Sequence, residues 1–128
     1  MITIVESPDA PRPAGHYAQA VIHGDLVYVA GQLPIRPHTG ERCTGDIEEQ
    51  TAQVLRNLAA VLAAAGSGLE RVLKTTVYIT DIGLWDRVNR VYSRVFGDHR
   101  PARAVVPVPE LHHGFLVEIE AVAARGAD

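Results

Sequence analysis

The chain has 128 residues, of which 47% are hydrophobic and 21% are charged, and its formal net charge is −3. This length and composition predict one globular domain, residues 1–128, and exclude a disordered chain. The acidic balance and the low aromatic content of 5% argue against nucleic-acid binding. We recognise neither a secretory signal nor an apolar run long enough for a membrane span, and one cysteine, Cys43, cannot form an internal disulfide. A cytoplasmic location is therefore expected.

The first predicted elements form a β-hairpin. Residues 20–23 and 26–30 are mostly apolar and flank Gly24-Asp25, a pair that suits a two-residue turn. The next segment, residues 32–45, contains two prolines and two glycines and predicts a long loop.

Two amphipathic helices are predicted in the middle of the chain. Asp46 is the expected N-cap of the first, and Gly66 marks its end. Asp81 is expected to cap the second, which ends at Gly97. The apolar stripe of the first helix comprises Ile47, Thr51, Val54, Leu55, Leu58, Val61, Leu62 and Ala65. The stripe of the second comprises Leu84, Trp85, Val88, Tyr92, Val95 and Phe96.

Three further strands are predicted at residues 72–80, 102–108 and 115–123. Alternation in the first of them places Leu73, Thr75, Val77 and Ile79 on one face. The order hairpin, helix, strand, helix, strand, strand fits an α/β fold in which a mixed sheet carries two helices on one face. A chain of this size would cover the other face by forming an oligomer.

The last two strands carry charges where the pattern favours apolar residues. Arg103 lies in the first of these strands, and Glu118 and Glu120 lie in the second. A buried charge is costly unless it is paired or used for binding. One interpretation is an Arg–Glu ion pair at a subunit interface. The other is a pocket in which the arginine binds a ligand carboxylate and a glutamate handles a water molecule. The pattern alone does not choose between them.

Other chemically reactive residues have simpler explanations. The six histidines lack metal-ligand spacing, and the neighbours His112 and His113 would point to opposite sides of an extended segment, so no metal site is expected. Cys43 lies in a polar loop and is interpreted as an incidental thiol. Lys74, within a strand, is expected to reach solvent or to pair with an acid.

Seven blocks of the sequence, in this order, resemble the Rid family, the reactive-intermediate deaminases also called the YjgF or L-PSP family. The resemblance covers residues ~11–124. The blocks are GHYAQA (15–20), YVAGQLPIRPHTGE (28–41), QTAQVLRNL (50–58), LKTTVYITDI (73–82), VNRVYSRVF (88–96), PARAVV (101–106) and VEIEAVA (117–123).

The resemblance implies both a fold and an activity. The implied fold is α/β and chorismate-mutase-like: a mixed six-stranded sheet with two helices on one face, assembled as a homotrimeric barrel. Small imino or keto acids would bind in the clefts between subunits. Family members hydrolyse 2-imino acids such as 2-iminobutanoate and 2-iminopropanoate to 2-keto acids and ammonia. The family uses neither a metal nor an organic cofactor, so none is expected here.

The resemblance also assigns roles to five residues. Arg103 would grip the substrate carboxylate, and Glu118 would orient the attacking water. Tyr17 would close the pocket from a neighbouring chain, Gly31 would supply a backbone contact, and Asn89 would be a polar residue near the site. Glu120 matches no such role and is interpreted as structural.

Three positions depart from the family pattern. Ala30 stands where the family usually has serine, Val105 where it often has cysteine, and His16 where it has proline. The first two changes make the pocket more apolar. Two alternatives to the imine deaminase therefore remain: an enzyme of a specific pathway acting on a bulkier imine, and a non-catalytic trimer that binds small carboxylates. The family's older ribonuclease label is disfavoured by the net charge of −3.

Overall fold

Residues 1–126, which the computed structural model describes, fold into a six-stranded mixed sheet with two α-helices packed on one face. The architecture is the α/β arrangement that the resemblance implies. In chain order its strands and helices are β1 (Ile2–Val5), β2 (Ala20–His23), β3 (Leu26–Gln32), α1 (Ile47–Ala64), β4 (Val72–Ile79), α2 (Trp85–Phe96), β5 (Ala102–Pro107) and β6 (Val117–Ala124).

The strands are arranged in the order β1-β2-β3-β6-β4-β5. All neighbours are antiparallel except β4 and β5, which are parallel and are therefore joined by a crossover that contains α2. The strand β1 was missed by the sequence analysis, although its sequence, ITIV, is β-branched at every position. A run of four residues near the chain end carries too little alternation to predict a strand.

The helix α1 lies on the sheet as its apolar stripe predicts. The Asp46 carboxylate accepts a hydrogen bond from the backbone N–H of Glu49 at 2.9 Å, which fixes the start of the helix. Val54, Leu58 and Val61 are 0% exposed. Each such burial contributes roughly 1.5–3 kcal/mol, so this face of α1 anchors the core.

Two local predictions were wrong. A β-bulge between Val72 and Lys74 turns Val72 into the core and leaves Leu73 exposed, so Leu73 does not share the face of Thr75. Asp81 caps a short 3₁₀ turn, Ile82–Leu84, through the backbone N–H of Gly83, and α2 begins only at Trp85.

The second helix also differs from its predicted stripe. Val91 is buried, whereas Val95 is 39% exposed and Trp85 is 38% exposed. Trp85 is the first residue of α2 and Val95 lies in its last turn, so both stand at the ends of the packed face and not within it.

The other face of the sheet is not covered by any helix within residues 1–126. It exposes large apolar side chains: Ile2 is 66% exposed, Ile4 63% and Tyr28 43%. Exposed apolar faces are typical of surfaces that bind a partner, so the expectation of an oligomer stays a prediction. Neither helix of the described chain combines the length and the hydropathy needed to cross a membrane.

Candidate active site

Arg103 projects from the edge strand β5 towards α2. In the parallel ladder it lies beside Thr75, which is fully buried under the helices, so both side chains are on the helix-covered face. Its guanidinium donates a hydrogen bond from Nη1 to Oδ1 of Asn89 at 3.0 Å. Val105 follows on the same face and packs against the core. Arg103, Asn89 and Val105 form what we call the arginine half-site.

Two aromatic rings of α2 flank the guanidinium of Arg103. Its Cζ lies 4.7 Å from the ring centroid of Tyr92 and 5.3 Å from that of Trp85. These residues are seven positions apart, which on a helix is about two turns or roughly 10 Å, so the guanidinium lies between the rings. Asn89 occupies the turn between them. Each ring attracts the cation through its π-electron face.

Contacts with β4 and with the end of α2 hold the Tyr92 side chain in place. Its hydroxyl shares a buried hydrogen bond of 2.7 Å with Oγ1 of Thr75 on β4, and its ring packs against Phe96 with centroids 4.5 Å apart. Burial raises the pKa of Tyr92, while the Thr75 hydrogen bond and the nearby Arg103 act in the opposite direction. The ring beneath the guanidinium is therefore neutral and rigid.

Among the described residues, the charge of Arg103 has no acidic partner. Within residues 1–126 the ion pairs are Arg36–Glu41, His38–Asp9 and Arg87–Glu48, and none involves Arg103. A half-buried guanidinium whose contacts are an amide and two rings keeps donor groups free for an anion. Bidentate binding of a planar carboxylate is the chemistry that suits it best.

Glu118 lies on the opposite, uncovered face of the sheet. It alternates along β6 with the fully buried Val117 and Ile119 and stands opposite Tyr78 of β4. Its side chain is half-buried, and burial raises the pKa of its carboxyl. The nearby charge of Glu120 raises the pKa further, whereas His112 lowers it. A carboxylate with a raised pKa is a better proton acceptor than an ordinary surface glutamate.

The backbone of Gly31 makes room for the Glu118 carboxylate. Gly31 lies in a bulge of β3, where the pairing with β6 shifts between Val29 and Gln32. A Cβ on Gly31 would lie 2.0 Å from Oε2 of Glu118, so only glycine allows the two to be this close.

The segment that carries Tyr17 is joined to the same bulge. The backbone N–H of Ala30 donates to the carbonyl of Gln19 at 2.9 Å, two residues after Tyr17. The Tyr17 side chain is 52% exposed, and its hydroxyl accepts a hydrogen bond from the N–H of Ala14. Glu118, Gly31, Ala30 and Tyr17 form what we call the glutamate half-site.

Glu120 is engaged by a different residue. The Tyr78 hydroxyl donates to Oε1 of Glu120 at 2.5 Å, and this hydrogen bond is the main cause that raises the pKa of Tyr78. Tyr78 faces Glu118 in the ladder but reaches diagonally to Glu120. The Glu118 carboxylate is thus left free of this hydroxyl.

The seven predicted site residues therefore form two groups on opposite faces of one sheet. The strand β4 separates the strands that carry Arg103 and Glu118, and the two side chains leave the sheet in opposite directions. An Arg103–Glu118 ion pair within one chain is excluded. No single chain can bring both groups to one small ligand.

Sequence reasoning missed the aromatic partners of Arg103. Trp85 and Tyr92 were assigned to the core stripe of the second helix, yet with Asn89 they follow the spacing i, i+4, i+7 that places three side chains on one helix face. An amide between two aromatic residues at this spacing was the available signal.

Other features lie apart from both half-sites. A surface depression of about 1370 Å³ is lined by parts of residues 4–19 and 35–40; it includes Tyr17 but neither charged candidate. Cys43 lies in the loop between β3 and α1 as predicted, but its side chain is buried, at 3% exposure. In the part of the chain described here, no three His, Cys, Asp or Glu side chains are placed to hold a metal ion.

Comparison with known proteins agrees with this architecture. A family model described as "Endoribonuclease L-PSP" matches residues 7–125. A RutC family protein of Pyrococcus horikoshii is 46% identical over 98% of this chain and 99% of its own. The human 2-iminobutanoate/2-iminopropanoate deaminase is 37% identical over 96% of this chain and 90% of its own. The crystal structure of Escherichia coli TdcF with bound serine has a TM-score of 0.92 at 37% identity, covering 97% of this chain and 99% of TdcF.

The fold and these comparisons define a small α/β protein of the L-PSP type. The chain belongs to the Rid family, also called the YjgF/L-PSP family.

Proposed function

We propose that the protein hydrolyses 2-imino acids, with 2-iminobutanoate and 2-iminopropanoate as reference substrates. In the reaction R–C(=NH₂⁺)–COO⁻ plus water gives R–CO–COO⁻ plus NH₄⁺, so atoms and charge balance. The observation that carries the proposal is Arg103, a half-buried cation without an acidic partner in residues 1–126 and with free donor groups. The name of the human relative supports the reaction, and serine bound to TdcF supports a ligand with a carboxylate.

Arg103 binds the substrate carboxylate in this scheme. Asn89 occupies Nη1 of the guanidinium and the aromatic rings cover its sides, so the carboxylate approaches in the plane of the remaining N–H groups. That geometry fixes the orientation of the neighbouring imine carbon. Fixing a reactant in this way supplies much of the rate enhancement when the electrophile is already activated, as a protonated imine is.

Glu118 acts as the general base and then as the general acid in this scheme. Its ionised carboxylate accepts a proton from the attacking water as the C–O bond forms, which gives a tetrahedral carbinolamine. The same carboxyl then donates that proton to the amine nitrogen, and the C–N bond breaks to release ammonia. As the carbonyl forms, the hydroxyl proton passes to the Glu118 carboxylate and from there to ammonia, which gives NH₄⁺. A pKa raised by burial favours this two-way transfer.

We further propose that the complete site forms between two copies of the chain, as part of a trimer. The arginine half-site of one copy would face the glutamate half-site of the next. Two observations support this: Arg103 and Glu118 lie on opposite sheet faces, and the face bearing Glu118 exposes Ile2, Ile4 and Tyr28. A closed ring of identical contacts covers such a face in every subunit.

Imine decay provides the test of the reaction. Each imine is generated in situ, and its disappearance is measured with the wild type, Arg103→Ala and Glu118→Gln. We expect wild type to accelerate decay, Arg103→Ala to lose about 10²–10⁴-fold in kcat/KM through loss of two charged hydrogen bonds, and Glu118→Gln to lose about 10²-fold in kcat. No acceleration by the wild type refutes the proposal. Carboxylate binding without turnover would establish the non-catalytic alternative.

Subunit complementation provides the test of the shared site. Arg103→Ala and Glu118→Gln chains are refolded together in equal amounts. If each site takes Arg103 from one copy and Glu118 from another, about one quarter of the sites receive two intact residues, and about one quarter of wild-type activity returns. A site built within one chain would give no recovery. Light scattering on the same samples gives the number of subunits.

A further inference from the structure

The indole of Trp85 is a large apolar group that lies beside Arg103 and remains open to solvent. Trp85 is 38% exposed, whereas Tyr92, the other ring beside the guanidinium, is 6% exposed and sealed under the sheet edge. Trp85 begins α2, directly after the short 3₁₀ turn. It therefore stands at the rim of the half-site and not in its floor.

The rest of this rim is also apolar. Val105 follows Arg103 on the same face of β5 and is only partly buried. Asn89 is the polar neighbour, and its Oδ1 is already engaged by Arg103. A ligand held by its carboxylate at Arg103 thus meets hydrogen-bonding groups at one end and an indole face beside it.

We propose that Trp85 is a specificity-determining residue that contacts the side chain of the bound 2-imino acid. The preferred substrates are imines with an aromatic or branched aliphatic side chain, and 2-iminopropanoate is a poorer one. This inference rests on the proposed imine hydrolysis and adds the substrate class to it.

Distance and surface chemistry carry the inference. The Cζ of Arg103 is 5.3 Å from the indole centroid, so a carboxylate paired with the guanidinium places its α-carbon substituent within van der Waals reach of the ring. A methyl group covers little of an indole, whereas a benzyl or isobutyl group covers much of it and removes that apolar area from water. The imine with the larger substituent is therefore expected to bind more tightly, with a lower KM.

The experiment compares a small and a large imine. D-Amino-acid oxidase converts D-alanine to 2-iminopropanoate and D-phenylalanine to the phenyl-substituted imine, and oxidation removes the Cα stereocentre in both. For wild type we expect kcat/KM to be about 10-fold higher for the large imine. Trp85→Ala is expected to abolish this preference by raising KM for the large imine, and Trp85→Phe, which keeps an aromatic face, to retain most of it.

Three outcomes overturn the inference. Equal kcat/KM values for both imines in the wild type would show that the protein has no preference for the larger substrate. Equal losses for both imines in Trp85→Ala show that the indole acts only by holding Arg103. A change in subunit number in Trp85→Ala shows that a second copy, and not substrate, covers the indole. If the wild type accelerates neither imine, the proposed reaction itself fails, which is a distinct result.

Discussion

The two half-sites differ in how the protein surrounds the charged side chain that each places in an apolar sheet. Arg103 is surrounded within its own chain: an amide takes one nitrogen, and Trp85 and Tyr92 stand on either side. Glu118 lies on the uncovered side of the sheet, half-buried, with a raised pKa and with the Gly31 backbone against its carboxylate. All the contacts that hold the Arg103 guanidinium are therefore made within a single chain. The glutamate half-site is partly desolvated within one chain and would be buried further if a neighbour covered that face.

This difference indicates a division of work between specificity and chemistry. A rigid, pre-formed cation binds and orients a carboxylate without rearrangement. Burial within the single chain is the main cause that raises the pKa of Glu118, and coverage of its face by a neighbour would raise that pKa further. Substitutions in the first region should therefore affect binding, and those in the second should affect turnover.

The largest effect is expected from Arg103→Lys. Lysine keeps the charge but offers neither a planar fork for a carboxylate nor a flat cation between two rings. We expect kcat/KM to fall by about 100-fold, mainly through KM, in the imine assay. Arg90→Lys, on the exposed side of the same helix, is the matched control and should leave kcat/KM unchanged. A loss confined to kcat would contradict the binding role.

Gly31→Ala tests the glutamate half-site in the same assay. The new Cβ would lie 2.0 Å from Oε2 of Glu118, and the flexible carboxylate, not the strand, would move. We expect kcat to fall about 10-fold with little change in KM or in unfolding free energy.

A double-mutant cycle checks that this effect passes through Glu118. Adding Glu118→Gln to Gly31→Ala should cost less than it does in the wild type, because the carboxylate is already displaced. Fully additive losses would show that Gly31 acts elsewhere.

The pH dependence of kcat gives a smaller but directional effect. Glu118 must be ionised to accept a proton, so kcat falls as pH drops through its pKa, and burial places this acid limb above the range of an ordinary glutamate. Glu120→Gln removes a like charge and should move the limb to lower pH. His112→Gln removes the opposing charge and should move it to higher pH. Shifts in the same direction for both variants would refute the assignment of the limb to Glu118.

The smallest effect on activity is expected from Tyr92→Phe. The ring beside Arg103 remains, so kcat/KM should change less than about twofold. Loss of the 2.7 Å hydrogen bond leaves the Thr75 hydroxyl buried without its partner and should lower the unfolding free energy by about 1–3 kcal/mol in urea melts at fixed protein concentration. Thr44→Val, which removes an exposed hydroxyl, is the control and should change stability by less than about 0.5 kcal/mol.

Periodicity predicted the parts of the fold in which one face is buried over a long run. The stripe of α1 and the hairpin around Gly24-Asp25 are examples, because many residues repeat the same signal. It was wrong for Leu73, where a bulge interrupts the alternation, and for Val95, which lies in the last turn of α2 and is exposed. Residue type alone encodes neither effect. The strand β1 was too short to predict.

The sequence indicated which residues to consider for the candidate site, but not how they are arranged in space. The strand pattern singled out Arg103 and Glu118, and the resemblance gave each a role. Which sheet face each occupies depends on pairing between distant strands: β5 beside β4, and β6 between β3 and β4. The aromatic neighbours of Arg103 were hidden because an apolar ring under a cation and an apolar ring in a core leave the same pattern in a sequence.

The position of Trp85 also gives the protein a built-in optical reporter. The chain contains one tryptophan, and its indole lies 5.3 Å from the guanidinium that would receive a carboxylate. Indole emission responds to nearby charge and to exclusion of water, so occupancy of the arginine half-site can be titrated by fluorescence without a label, a coupled enzyme or turnover. Ligand affinity and catalytic rate can thus be measured separately on the same unmodified chain.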